Sequence, residues 1–285
     1  MAPAQFDFTV LDQLCLRDHG DAMERFYWPK VANHLSEYEV FWRKFIVLLT
    51  NRVVPSVDKD WIMVRTGLSD KYESLLMANY ATFYHCVVAH EQIGIGRKAE
   101  AEGGFNHPEL FFFSAKACLE TVKPLQSQAG LLLSCRGIRP RFPKSPDGLI
   151  HAVTSYRDVF THRGHLGRGS QHGRGLIPLP EHLPESQKDP KAFWSYTMAL
   201  PEQEMTDALD LESNLWSELA DYLRGIWKAL ADAFEQYRLD PAFTADVGLT
   251  AFLPIHAGIA TTVMPSMVNP YAASGTIVYE NEPTS

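Results

Sequence analysis

Long apolar runs, paired cysteines and internal repeats are all missing from this 285-residue chain, and each absence removes a class of function. The longest strongly apolar run, Phe45–Leu49, falls far short of the ~20 residues that a helical membrane span needs. Asp7, Asp12, Arg17 and Asp18 interrupt any signal-like apolar core near the N-terminus, so a cytoplasmic chain is expected rather than a secreted one. The four cysteines, Cys15, Cys86, Cys118 and Cys135, have no close partner in sequence. That spacing fits neither a zinc site nor a redox pair, and all four are expected to be reduced and mostly buried. An excess of positive charge is missing too. The net charge of −8 argues against a protein coated with nucleic acid.

What is present is helical periodicity over a chain long enough to bury a sizeable core. Val31, Leu35, Tyr38, Trp42, Phe45 and Leu49 form one apolar stripe between Pro29 and Pro55. A second helix is expected from near Ser69 or Asp70, through Leu76, Phe83 and Val87, to a glycine stop at Gly103-Gly104. Asn106 and Glu109 resemble a capping box opening a third helix through Phe112, Ala115, Leu119 and Val122, which Pro124 should kink or end early. Ser145-Pro146 starts a shorter helix to about His162, closed by Gly164. The Gly- and Pro-rich stretch 164–200 reads as a long excursion, and Pro201 opens a last helix striped by Trp216, Leu219, Leu223, Ile226, Leu230 and Tyr237. The low-charge tail 241–285 is expected to lie extended on the helical body or on a second subunit, with a short strand at 276–279. The expected fold class is all-α: a helical extension at 1–66, an up-and-down bundle at 67–240 and the apolar tail at 241–285.

The chemistry-bearing residues gather in Tyr156-Arg-Asp-Val-Phe-Thr-His-Arg-Gly164. On an ideal helix Leu149, Val153, Tyr156 and Phe160 share one face, while His151, Ser155, Asp158 and His162 share a roughly opposite one. Asp158 and His162 stand four apart, within reach for the carboxylate to orient the imidazole. A guanidinium at Arg157 beside that histidine suits a phosphodiester, one group clamping oxygens and the other moving a proton. Charge distribution points the same way. From Arg136 to Arg174 there are eight basic residues and two acids, a local +6 that leaves −14 on the remainder. Such an island can attract one phosphate-bearing ligand without general affinity for nucleic acid.

Other readings are weaker. The segment also fits a solvated helix with a few polar residues and a capping His-Arg-Gly. A metal or haem site built from His151, His162, His165 and His172 lacks supporting carboxylate or cysteine spacing, so no metal and no cofactor are expected. His85 and His90 are five apart, about 140° around a helix, unlike a zinc-protease pair. Gly94-Ile-Gly96 lies late in a helix and is a poor nucleotide fingerprint. Phe111 to Phe113 and Trp42 read as core.

Arg157-Asp158-Val159-Phe160-Thr161-His162 resembles the signature of the HEPN superfamily of helical bundles, an arginine separated from a histidine by four to six residues with a polar residue after the arginine. The expected order of elements over roughly 69–238 is similar to that family's. The resemblance implies a metal-independent endoribonuclease, toxin or antiviral effector, leaving 2′,3′-cyclic phosphate ends. Arg157 would be the phosphate clamp, His162 the acid–base group and Asp158 a support for His162 or for the nucleotide, with Arg163, His165, His151, Ser155 and Arg168 binding substrate. It also implies a homodimer whose two motifs face one cleft, with an antitoxin or regulatory protein as a further partner. Some members are non-catalytic nucleotide- or protein-binding scaffolds. The 1–66 extension, the 164–200 excursion and the tail depart from the family pattern.

Overall fold

A computed structural model describes residues 28–50, 59–104, 106–134, 137–163, 168–169, 175–183 and 190–239. Seven α-helices are present among them: α1 (Trp28–Val31), α2 (Ser36–Thr50), α3 (Lys59–Ala101), α4 (Pro108–Ser134), α5 (Asp147–Arg163), α6 (Pro190–Ala199) and α7 (Ala208–Leu239). They form an all-α, up-and-down bundle, with one small sheet added to it. The expected tail, its strand, Cys15 and Cys135 lie outside the described residues. None of the described helices is long and apolar enough to cross a membrane.

α3 and α4 pack along each other more extensively than any other pair of described helices. Past the end of α3, Gly103 adopts a φ of +75°, a conformation glycine tolerates without penalty, and the Gly104 N–H donates back to the Ala99 carbonyl at 2.7 Å. α7 closes the bundle by packing on α2, α3, α4 and α5. Its inward stripe, including Leu219, Leu223, Ile226, Trp227, Leu230 and Phe234, is buried as the periodicity requires.

Several boundaries differ from the sequence reading. α3 begins at Lys59, ten residues before the expected start, so it runs unbroken through positions 66 and 67. The first stripe is split into α1 and α2 by a turn at 32–34, although Val31, Leu35, Tyr38, Trp42 and Phe45 still share the buried side. α4 continues through Pro124 to Ser134. The proline deprives the Glu120 carbonyl of a helical donor, but both residues are exposed and water can replace it. α4 opens at Pro108, and the Asn106 amide is turned away from capping it: its Nδ2 donates to Glu212 Oε1 at 3.0 Å. Phe111, Phe112 and Trp42 are core, but Phe113 is exposed. Gly96 is buried because a methyl there would overlap the Asn106 amide and Leu209. That is a packing reason for the second glycine of the Gly-x-Gly pair.

The 164–200 excursion contains structure. β1 (Arg168–Gly169) pairs antiparallel with β2 (Gly175–Pro178), which pairs antiparallel with β3 (Met205–Asp207) in the register Leu176↔Asp207, Ile177↔Thr206, Pro178↔Met205. The last helix therefore starts at Ala208 and not at Pro201. Asp207 ends β3 and caps α7, its Oδ1 accepting the N–H groups of Leu209 and Asp210 at 2.9 and 3.2 Å.

Two buried polar connections cross the bundle. Trp227 Nε1 donates to Asn79 Oδ1 at 3.0 Å and Asn79 Nδ2 donates to the Tyr38 hydroxyl at 3.2 Å, tying α7 to α3 and α2. Tyr38 also stacks on Phe83 at 4.2 Å and meets Trp227 edge-on at 4.8 Å. Asn79→Ala removes the acceptor of a buried indole N–H, so it is expected to cost roughly 1–3 kcal/mol, measured as a lowered midpoint of denaturant unfolding.

The second connection is Asn106–Glu212. Glu212 is fully buried, its Oε2 has no hydrogen-bond partner among the described residues, and Glu100, Asp207 and Glu109 face it with like charge. Burial, reinforced by those carboxylates, pushes its pKa up from 4.5 to about 8. The folded chain thus holds this proton more tightly than the unfolded chain. The resulting loss of stability is absent below about pH 4.5, grows as pH rises toward 8 and levels off above it. Thermal melts from pH 5 to 9 should show Glu212→Gln progressively more stable than wild type with rising pH; parallel curves would show that Glu212 is ionised in the fold.

Candidate functional site on α5

α5 obeys its amphipathic pattern. Leu149, Val153, Tyr156, Val159 and Phe160 are buried. Phe112 of α4 stacks on both Tyr156, at 4.6 Å, and Phe160, at 5.6 Å. The Tyr156 hydroxyl donates to the Pro178 carbonyl of β2, which fixes the rotation of the helix against both α4 and the sheet. On the side toward α4, Lys116 Nζ donates to Thr154 Oγ1 at 2.9 Å.

The polar side carries the expected residues. His151 is exposed, Ser155 is half-buried, and Arg157 and Asp158 expose 33% and 48% of their side chains, so both are open to a ligand. Arg157 Nη1 donates to Asp158 Oδ1 at 2.7 Å, and the Arg157 carbonyl accepts from Thr161 Oγ1 at 2.8 Å. Asp158 therefore engages the arginine. Its expected contact with His162 involves a side chain outside the described residues. The side chains of His162, Arg163 and Arg168, and the whole of His165, also lie outside them. His162 and Arg163 occupy the last turn of α5, and Arg168 is the first residue of β1.

An ion pair this exposed is worth no more than about 1 kcal/mol. It leaves most of the five guanidinium donors unspent. A phosphate can displace Asp158 or bind beside it. Of the basic island, Arg139, Arg141 and Lys144 are exposed on the segment leading into α5. Pro143 anchors that segment on α7, where Gly225 leaves room for its ring. These three cations are accessible and precede the motif helix directly in sequence. Along an ideal helix the five-residue step from Arg157 to His162 turns about 140°.

Among the described residues no group of three His, Cys, Asp or Glu side chains is placed to hold a metal ion. Cys86 and Cys118 are free and buried, and the Cys118 thiol donates to the Thr82 carbonyl at 3.3 Å. Comparison with known proteins returns no matching family model, no matching curated protein and no matching solved structure. Function must be argued from the residues themselves.

Sequence reasoning missed two constellations: the buried Glu212–Asn106 pair, and a ring cluster of His34, His90 and Trp216. Each joins residues far apart in the chain, and no local spacing signals them. Tyr156→Phe is expected to lose roughly 1–3 kcal/mol by leaving the buried Pro178 carbonyl without its donor. Amide hydrogen exchange should show the loss as faster exchange in α5 and β2 than in α2.

Proposed function

We propose that this chain is a HEPN-like, metal-independent endoribonuclease or an effector derived from one, acting on RNA in the manner of toxin or defence ribonucleases. The reading rests on one observation above the others: α5 is clamped on its apolar side by Tyr156, while its polar side offers Arg157 to solvent, paired among the described residues with an exposed neighbouring carboxylate. Arg157 would hold the non-bridging oxygens of a scissile phosphate. A base removes the 2′-hydroxyl proton as that oxygen bonds to phosphorus; the bond to the 5′-oxygen breaks, and the 5′-oxygen takes up a proton. The products are a 2′,3′-cyclic phosphate and a 5′-hydroxyl end. His162 is the group assigned to proton transfer.

The resemblance implies a homodimer. Two α5 helices facing one cleft would supply an arginine and a histidine from opposite sides, and a second His162 would serve as the complementary acid or base. Arg139, Arg141 and Lys144 would steer RNA toward that cleft. Arg163, Arg168, His165, His151 and Ser155 would contact the substrate around it.

A second reading is a non-catalytic nucleotide- or protein-binding scaffold. It is favoured by the 2.7 Å Arg157–Asp158 contact, which neutralises part of the clamp in the unliganded chain. Cleavage of a mixed RNA pool in the presence of chelator separates the two. Wild type should yield 2′,3′-cyclic phosphate ends, and Arg157→Ala and His162→Ala, both folded, should each be slower by at least about 100-fold. Absence of cleavage by wild type, or activity surviving both substitutions, contradicts the catalytic reading.

A further inference from the structure

A second group of polar residues lies where α1, α3 and α7 meet, and it includes none of the α5 residues. Trp216 of α7 forms its floor, almost fully buried and fixed by an Nε1–H bond to the Cys86 carbonyl at 3.1 Å. His34, exposed in the turn after α1, stands edge-on to this indole with centroids 5.0 Å apart. His90 of α3 lies against the same indole at 4.4 Å and faces His34 at 5.9 Å. One turn beyond His90, Gly94 is exposed, and no atom comes within 4 Å of where a side chain would begin. Arg97 follows on the same face of α3 and donates to Ser213 Oγ at 3.1 Å, one turn from Trp216 on α7. The result is an open notch at Gly94, with two imidazoles on one side and a guanidinium with a hydroxyl on the other.

The charge around this notch is positive. Arg97 is paired with a neutral hydroxyl and with no carboxylate among the described residues. Lys30 of α1 forms an ion pair with Glu91, the one acid shown beside the group. From α7 the notch is faced by Trp216 and Ser213, neither of which titrates near neutrality. Protonation of His90 adds a further charge.

We propose that this notch is a binding site for a small phosphate-bearing anion, held between Arg97 with Ser213 and the His34–His90 pair, with the missing side chain of Gly94 providing the space. A phosphate matches the donor set, since the guanidinium forks onto two oxygens while the hydroxyl and imidazole N–H groups reach the others. The cluster also carries a built-in pH response. Burial, then the charges of His34, Arg97 and Lys30, lower the His90 pKa below its usual 6.5, so His90 resists protonation. A bound anion reverses that cost. Binding should take up a proton and tighten as pH falls.

The test uses the full chain with inorganic phosphate and adenosine monophosphate, followed by tryptophan fluorescence and by the His34 and His90 imidazole NMR signals. Saturable binding should shift both histidine signals together and be at least about fivefold tighter at pH 6 than at pH 8. Arg97→Gln and Gly94→Leu should each weaken it at least tenfold, while Arg157→Ala leaves it unchanged. Gly94→Leu replaces an exposed helical glycine with a better helix former, so it should not lower the melting temperature, and its loss of binding reports blocked space. Tighter binding of the nucleotide than of phosphate assigns a nucleotide ligand; equal binding assigns the phosphate group alone. Histidine signals that do not shift at millimolar ligand, or binding that survives both notch variants, overturn the proposal.

Discussion

The polar side of α5 depends on the burial of Tyr156 on the opposite side. Its ring is held between Phe112 and the sheet, and its hydroxyl satisfies a β2 carbonyl, so α5 cannot roll without breaking a stack and a buried hydrogen bond together. Rotation by one residue position would turn Arg157 toward α4 and Tyr156 toward water. The small sheet thereby acquires a role in positioning the motif. β2 is clasped by β3, β3 runs directly into the cap of α7, and α7 packs on four other helices. Arg157 is presented by a chain of contacts that reaches through most of the bundle.

The interior is not uniformly apolar, and its polar groups occupy junctions. Asn79 satisfies the Trp227 indole and reaches Tyr38 where α2, α3 and α7 converge. Such a link costs desolvation, but it specifies one register among helices whose apolar stripes alone would tolerate sliding. Glu212 does something different at the other junction, where α3 ends and α4 and α7 begin. With one oxygen bonded to Asn106 and three carboxylates nearby, it is held protonated near neutrality and makes this end of the bundle sensitive to pH.

Helical faces were legible in the sequence because a period of 3.6 residues is a local signal. Leu149, Val153, Tyr156 and Phe160, like Trp216, Leu219, Leu223, Ile226 and Leu230 on α7, lie in the core where spacing put them, while the Tyr237 side chain lies outside the described residues. Boundaries were harder to read. The start of α3 was expected near Ser69 or Asp70, yet the helix extends cooperatively back through the weak helix formers Thr66 and Gly67 to Lys59. Pro124 was read as a break because solvent exposure, which decides whether a lost hydrogen bond matters, is a tertiary property. The sheet escaped detection because strands of two to four residues are too short to show alternation, and β3 pairs with β2 from across the intervening α6. At the site, the order Arg157-Asp158 was plain in the sequence, but their mutual ion pair was not. The notch at Gly94 was hidden altogether, since His34, His90, Arg97 and Trp216 come together only through the packing of three helices.

The two surfaces proposed to take anions differ in design. The notch is a compact group of rings and charges around a missing side chain, suited to a small ligand. The α5 surface is an open helix face beside a cationic segment, suited to a polymer. Whether Arg157 and His162 act on one phosphate is read most directly by NMR of their guanidinium and imidazole signals during titration with a dinucleotide lacking the attacking 2′-hydroxyl. Both signals should shift along a single saturation curve, and Arg157→Ala should abolish the His162 shift. A His162 signal that stays still while Arg157 responds, or that moves unchanged in the Arg157→Ala protein, would contradict a shared phosphate site.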